Sequence, residues 1–272
     1  MIVACASSRV SARGQPASAP PRVAVFGDSL AWEAQSYFSS LVRASGGTAR
    51  SYDARGTALC DWLSQMRIVD ARFVPEAVEL EFTGNALTPC MKGYAAGSAA
   101  YYAKYRDDTL AAIDIFVPSG AHVFLIGAPI SRSQAVSDPG WDRLNQQYAS
   151  IARTDPRHVT YIDAGAAVES PDRTYAQTLP CLQAEPCLGP RLDGVRSNVV
   201  RAPDGVHFCP VEKAAAAGII GPCPVYSSGA YRYALAMVGA LTVPPGGHGN
   251  MAPCPGCPSA TRLRPIPATS SG

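Results

Sequence analysis

The chain has 272 residues, long enough for one large or two small domains, and 47% of them are hydrophobic, so a sizeable core can form. The net charge of +2 argues against nucleic acid or an anionic surface as the main partner, and no run approaches the roughly 20 apolar residues that span a bilayer. Nine cysteines are many for a reducing compartment and point to an oxidising one with disulfides.

Residues 1–21 are read as a flexible leader, because Ser7 to Pro21 is rich in Ser, Ala and Pro and has no periodicity. The leader lacks a charged start followed by a long apolar run, so a signal sequence is expected to be missing or truncated. Ile2-Val3-Ala4-Cys5 has the form of the tail of a bacterial lipoprotein cleavage site. It marks Cys5 as an expected lipid anchor if the true start lies upstream, against the plainer reading of four ordinary leader residues.

The first strand is expected over Val23 to Phe26, which is apolar and half β-branched. Gly27-Asp28 breaks it, and Leu30 to Leu41 has helical spacing up to Gly46-Gly47. Thr48 to Ala54 reads as a second strand, followed by a turn over Arg55 to Leu59. Cys60 to Asp70 reads as a helix and Glu76 to Phe82 as a third strand. Ala99 to Phe116 reads as a long helix, Ala121 to Gly127 as a fourth strand, Pro139 to Ala152 as a helix and His158 to Asp163 as a fifth strand. Residues 164–201 hold Pro171, Pro180, Pro186 and Pro190 and are read as an irregular insertion of the lid or binding-loop kind. Short helices are expected from Val211 and over Ser227 to Leu241. Residues 243–272 are a Pro/Gly-rich tail with a Cys254-Pro-Gly-Cys257 unit. Strands alternating with helices predict a parallel sheet covered on both faces, in one domain over residues 22–242.

Ligands of such sheets bind beyond the carboxyl ends of the strands. Ser29, Gly56 and Gly84-Asn85 all fall at such ends. Ser29 stands where a strand turns into a helix, and the first N–H groups of that helix have no backbone acceptor. An oxyanion forming beside Ser29 would meet donors already aimed at it; Asp28-Ser29 is equally an ordinary N-cap. A nucleophilic serine needs a base, and the chain offers four histidines. His122 and His158 open buried strands and read as structural, while His248 lies in the tail. His207 follows Asp204 by three residues, so Asp204 can reach Nδ1 from the same loop and leave Nε2 for Ser29. The plain reading is a turn at Asp204-Gly205 and a surface histidine. Asn85 offers a neutral carboxamide donor, and Gly56 a backbone N–H that can be approached closely; both glycine sites also serve as turns.

The order of these blocks resembles the SGNH (GDSL) hydrolase family: Gly-Asp-Ser-Leu after the first strand, Gly56 after the second, Asn85 after the third, and Asp204-x-x-His207 near the end of the fold. The resemblance runs from about Val23 to Leu241, and the wording of the second and last blocks looks like envelope-associated actinobacterial members. It implies a three-layer α/β/α sandwich with a central parallel, flavodoxin-like sheet. It implies Ser29 as nucleophile and first oxyanion donor, Gly56 and Asn85 as the other donors, His207 as general base and Asp204 as its orienting acid. The family's third block is usually Gly-x-Asn-Asp, whereas Gly84 here directly precedes Asn85, so Gly84 is given no role beyond the turn. The α/β-hydrolase elbow G-x-S-x-G is not met, since Ala31 stands at its last position, and no G-x-G-x-x-G follows the first strand.

The expected activity is a serine esterase that acts on short acyl esters, including O-acyl groups on envelope glycans. The alternatives are an O-acyltransferase with a sugar acceptor and a non-catalytic glycan-binding envelope protein. Trp32 and Trp62 are candidates for an apolar or sugar-stacking wall, against the plain reading of core residues. The partner is then a small-molecule or glycan ester, with no nucleic acid, no transmembrane span, no cofactor and no metal, in an extracytoplasmic (secreted or envelope-associated) setting. Eight cysteines after Cys5 allow 105 pairings. The working assignment is Cys60–Cys90, Cys181–Cys187, Cys209–Cys223 and Cys254–Cys257. A zinc site would need a second Cys or His pair opposite Cys254 and Cys257.

Overall fold

The computed structural model describes residues 21–137, 143–209, 223 and 225–241. Five parallel strands form the central sheet: β1 (Arg22–Gly27), β2 (Thr48–Asp53), β3 (Ala77–Glu81), β4 (His122–Ile126) and β5 (Val159–Ile162). Their order is β2-β1-β3-β4-β5. This is the flavodoxin-like order, with its switch point between β1 and β3, where a crevice opens at the carboxyl ends.

Alternation within the strands divides the core into two layers. Ala24, Phe26, Val78, Leu80, Val123 and Leu125 face one side. There they pack on α2 (Leu63–Phe73), α3 (Ala99–Phe116) and α5 (Arg143–Thr154). Val23, Val25, Phe124 and Ile126 face the other side and meet α1 (Ser29–Ala44) and α6 (Ser228–Ala240). Each fully buried Val, Leu or Phe contributes about 1.5–3 kcal/mol, so both layers are needed to hold the sheet. The fold is therefore the three-layer α/β/α sandwich expected from the sequence. No described helix is long and apolar enough to cross a membrane.

Two stretches differ from the sequence reading. Ahead of α5 a short helix, α4 (Arg132–Ser137), follows β4, and the expected start at Pro139 lies outside the described residues. The segment 164–201 is not irregular throughout. It opens on a 3₁₀ stretch and then carries β6 (Thr178–Pro180), β7 (Arg191–Leu192) and β8 (Val195–Val199), paired antiparallel in the order β6-β8-β7. Strands of two to five residues are too short to show alternation, and prolines bound them. The Cys181–Cys187 disulfide closes the loop that follows β6. That same loop is tied to α6 by a buried ion pair between Glu185 and Arg232, with Ser228 and Tyr226 also donating to Glu185. Burial pushes the Glu185 carboxyl up, but Arg232, the Leu182 N–H and the Ser228 hydroxyl together hold it below its ordinary range.

Cys60–Cys90 and Cys209–Cys223 are also bonded as assigned. The three bridges fit an extracytoplasmic protein. Cys254–Cys257, Cys5, His248 and the helix expected from Val211 lie outside the described residues.

Candidate active site

Ser29 is the first residue of α1 and is 7% exposed. The turn from β1 into α1 is tight, which Gly27 makes possible: a Cβ there would lie 2.3 Å from the Ala31 Cβ and 2.8 Å from the Glu81 carbonyl oxygen. The four leading N–H groups of α1 are handled unequally. Leu30 donates to Asp28 Oδ1 (3.1 Å), Ala31 to Glu81 Oε2 (3.1 Å) and Trp32 to the Asp28 carbonyl (3.0 Å). Among the described residues the Ser29 N–H has no acceptor.

His207 lies across the crevice on the loop that follows the flap. Its Nε2 is 3.0 Å from Ser29 Oγ and its Nδ1 is 2.7 Å from Asp204 Oδ2. The remaining Asp204 oxygen, Oδ1, accepts from the Val206 and His207 N–H groups (2.8 and 3.0 Å), a local Asx turn that fixes the carboxylate to its own loop. Burial pushes the Asp204 carboxyl up; the bonds from His207 and the two backbone groups outweigh it and hold the carboxyl below its ordinary range. A hydroxyl, an imidazole and a carboxylate in this line can pass a proton from Oγ to Nε2 while the imidazolium is stabilised from behind.

Arg132 clamps the loop from α4: its N–H donates to the Gly205 carbonyl (2.9 Å) and its Nη1 to the Pro203 carbonyl (3.0 Å). Gly205 has a φ of +77° and would drive a Cβ to 2.6 Å from the Arg132 Cβ, so no other residue fits there. On the other side Glu33 Oε2 accepts from the Phe208 and Cys209 N–H groups (2.6 and 3.2 Å). Glu33 is fully buried one turn beyond Ser29, and its Oε1 has no partner. Burial pushes its carboxyl up to about 7, against the pull of the Phe208 N–H and of His207.

Asn85 is held inward rather than projecting freely over the sheet edge. Its amide nitrogen donates to Asp28 Oδ2 (2.8 Å) and to the Thr57 carbonyl (3.1 Å). Asp28 Oδ2 also accepts from the Thr83 N–H and hydroxyl (2.8 and 2.6 Å). Burial pushes the Asp28 carboxyl up against those bonds. Its neighbour Glu81 is pushed well up, by burial and by the Asp28 charge, and accepts from the Tyr233 hydroxyl (2.9 Å). The Asn85 backbone is pinned from α3 by Tyr105, and Gly84 by Tyr101 (2.8 and 2.6 Å).

Gly56 occupies the exposed turn after β2 with a φ of +74°, and a Cβ there would meet nothing within 4 Å, so the glycine is set by conformation and not by crowding. Its neighbour Thr57 bonds the Gly27 and Ala54 carbonyls. Trp62 donates to Thr57 Oγ1 (3.0 Å) and packs edge-on against Phe26, so it braces this loop from the core side. The Trp32 ring lies under the Arg55 guanidinium at 4.6 Å. Neither tryptophan lines the cleft of about 310 Å³ that opens beside Leu30, Asn85 and Val206. His122 bonds Thr160 and His158 bonds Asp155, as structural histidines do. Among the described residues no three His, Cys, Asp or Glu side chains gather to hold a metal ion.

A family model described as "Protein of unknown function (DUF459)" matches residues 22–218, from the first residue of β1 to beyond His207. The chain belongs to the DUF459 family. The matched span includes the whole parallel sheet and all five residues of the expected site, Ser29, Gly56, Asn85, Asp204 and His207. No curated protein matches this DUF459 chain in sequence. Solved structures similar to it include a GDSL-like lipase from Bacteroides thetaiotaomicron, at 14% identity and a TM-score of 0.47, covering 71% of this chain and 82% of that one. Another is a catalytic mutant of an acetylxylan esterase from Geobacillus stearothermophilus, at 14% identity and 0.43, covering 54% and 77%. A third is a psychrotrophic esterase from Pseudoalteromonas, at 13% identity and 0.41, covering 56% and 86%.

Three residues around the site left little trace in the sequence: Glu33, Asp28 as the anchor of Asn85, and Arg132. Glu33 had one available signal, an acid inside the apolar stripe of α1 formed by Leu30, Ala34 and Phe38. Arg132 lies in a segment with no periodicity to read.

Proposed function

We propose that this protein is a serine esterase that cleaves acyl esters through an acyl-serine intermediate. The observation that carries the reading is the unbroken line from Ser29 Oγ through His207 to Asp204, at 3.0 and 2.7 Å. His207 takes the Ser29 proton as Oγ attacks the ester carbonyl, then returns it to the leaving alcohol; water, deprotonated by the same imidazole, releases the acid. The Ser29 N–H, idle in the free protein, is the first donor to the oxyanion, and the Gly56 N–H and the Asn85 amide are the others. For Asn85 this means giving up one bond, and the longer one, to the Thr57 carbonyl, is the one exchanged while Asp28 keeps the amide in place.

The single catalytic domain of residues 22–242, the preference for short acyl groups, and O-acyl groups on envelope glycans as the natural substrate are parts of the same proposal. The disulfides support an envelope or secreted setting. Hydrolysis of p-nitrophenyl esters of increasing chain length by wild type and Ser29→Ala tests it. Turnover of short esters that is lost in Ser29→Ala is expected. Turnover that survives the substitution would overturn the serine mechanism.

A further inference from the structure

The wall of the cleft beside Leu30 and Val206 includes a buried cation that the ester chemistry leaves unused. This cation is Arg201, which is 1% exposed. Its Nη2 donates to the Ile130 carbonyl at 3.0 Å, while Nε and Nη1 have no partner. The guanidinium is otherwise bounded by aromatic faces, Phe208 at 5.3 Å and Tyr175 at 6.0 Å. The acids in its vicinity are already engaged. Glu169 accepts from the Ile130 N–H through Oε1 and from Arg173 through Oε2, and Asp204 is committed to His207 and its own loop. Among the described residues, no acidic side chain lines the cleft. Burial pushes the guanidinium down to about 10, which leaves it charged at neutral pH.

A buried charge with idle donors is costly and is usually paired. The guanidinium fork is matched by a planar or tetrahedral anion that accepts two N–H bonds at once. Arg132, the other arginine at this end, is already engaged with Pro203, Tyr175 and Gln177. We infer that the cleft takes an ester bearing an anionic group, a carboxylate or a phosphate, and that Arg201 binds that group and so sets specificity. Binding turns the guanidinium towards the cleft, trading its single bond to the Ile130 carbonyl for two to the anion. The scissile ester then lies at Ser29, with the apolar wall of Leu30 and Val206 between the two ends. This inference rests on the esterase reading for turnover, but anion binding does not depend on it.

The test has a catalytic and a binding arm. In the first, p-nitrophenyl hemisuccinate is compared with the neutral butyrate, and 3-acetoxybenzoate with 3-acetoxybenzamide. The two pairs place the anion on the acyl and on the alcohol half. A preference of at least about tenfold in kcat/KM, mainly in KM, is expected for the anionic member of one pair. In the second, calorimetry measures binding of succinate and of inorganic phosphate to the full Ser29→Ala chain. Binding to this chain, together with no turnover of any ester by wild type, would sustain the anion site and sink the esterase reading. Arg201→Met is expected to lose both the preference and the binding. Should it fail to fold, Arg201→Lys decides, since it keeps the charge but loses the fork; roughly tenfold weaker binding is expected. Equal turnover of both members of each pair with no anion binding, or binding unchanged in the Arg201 variants, would overturn the inference.

Discussion

Glu33 gives the sharpest test of how the base-bearing loop is held. Its carboxyl is fully buried and titrates near 7 instead of an ordinary 4.5, because burial disfavours the charged form more than the Phe208 and Cys209 N–H groups favour it. Between those two values the folded protein keeps a proton that the unfolded chain has lost. Stability attributable to this group is therefore highest below pH 4.5, falls as the pH rises to 7 and is level above that. At about 1.4 kcal/mol per unit the total is about 3 kcal/mol. Glu33→Gln retains an oxygen acceptor for the two N–H groups and does not titrate. The stability of the variant minus that of wild type should then rise by about 3 kcal/mol across this window, a change of roughly 6–12 °C in the difference between their melting temperatures. Circular-dichroism melts of both proteins in matched buffers up to about pH 8.5 measure it. Other titrating acids, Glu79 and Asp53 among them, are common to both proteins and cancel. A difference that stays flat with pH, or that moves in favour of wild type as the pH rises, would refute the reasoning.

Asn85→Ala should lower kcat on a short ester by about 10²–10³, with the fold retained, because it removes one of the proposed oxyanion donors; an unchanged kcat would remove Asn85 from the site. Arg132→Ala frees the Gly205 loop at Pro203. It should reduce kcat by roughly tenfold through misplacement of His207, with KM little changed, as steady-state kinetics will show. The double variant Cys60→Ser with Cys90→Ser opens a loop of 30 residues between the Gly56 and Asn85 turns. It should lose about 3–4 kcal/mol of stability in urea unfolding, and a midpoint equal to that of wild type would contradict this.

The parallel sheet was legible because its strands are buried on both faces and read as short apolar runs, Val23 to Phe26 and His122 to Ile126 above all. The line of Ser29, Asp204 and His207 was legible because each residue sits at a break in periodicity, where a side chain is free to serve chemistry. The burial of Glu79 and Glu81 within the third strand has no such sign in the sequence. They alternate with Val78 and Leu80, as a half-exposed strand would, yet both are fully buried on the α1 and α6 side. Burial pushes Glu79 up to about 8, so it is held neutral at pH 7. Charge in a sequence is read as exposure, and a carboxyl that keeps its proton breaks that rule. The inward hold on Asn85 was equally hidden, since it joins Asp28, Thr57 and Asn85 from three different strand ends. The flap was missed because its order comes from a disulfide, turns and the buried Glu185–Arg232 pair, none of which has a period.

The central claim is that Ser29 is a nucleophile activated by His207. A fluorophosphonate probe followed by peptide mass spectrometry tests it without assuming any natural substrate. The account predicts a single adduct on Ser29 in wild type, none in Ser29→Ala, and labelling slowed by orders of magnitude in His207→Ala. A protein whose Ser29 stays unmodified, or labels equally fast without His207, would contradict it.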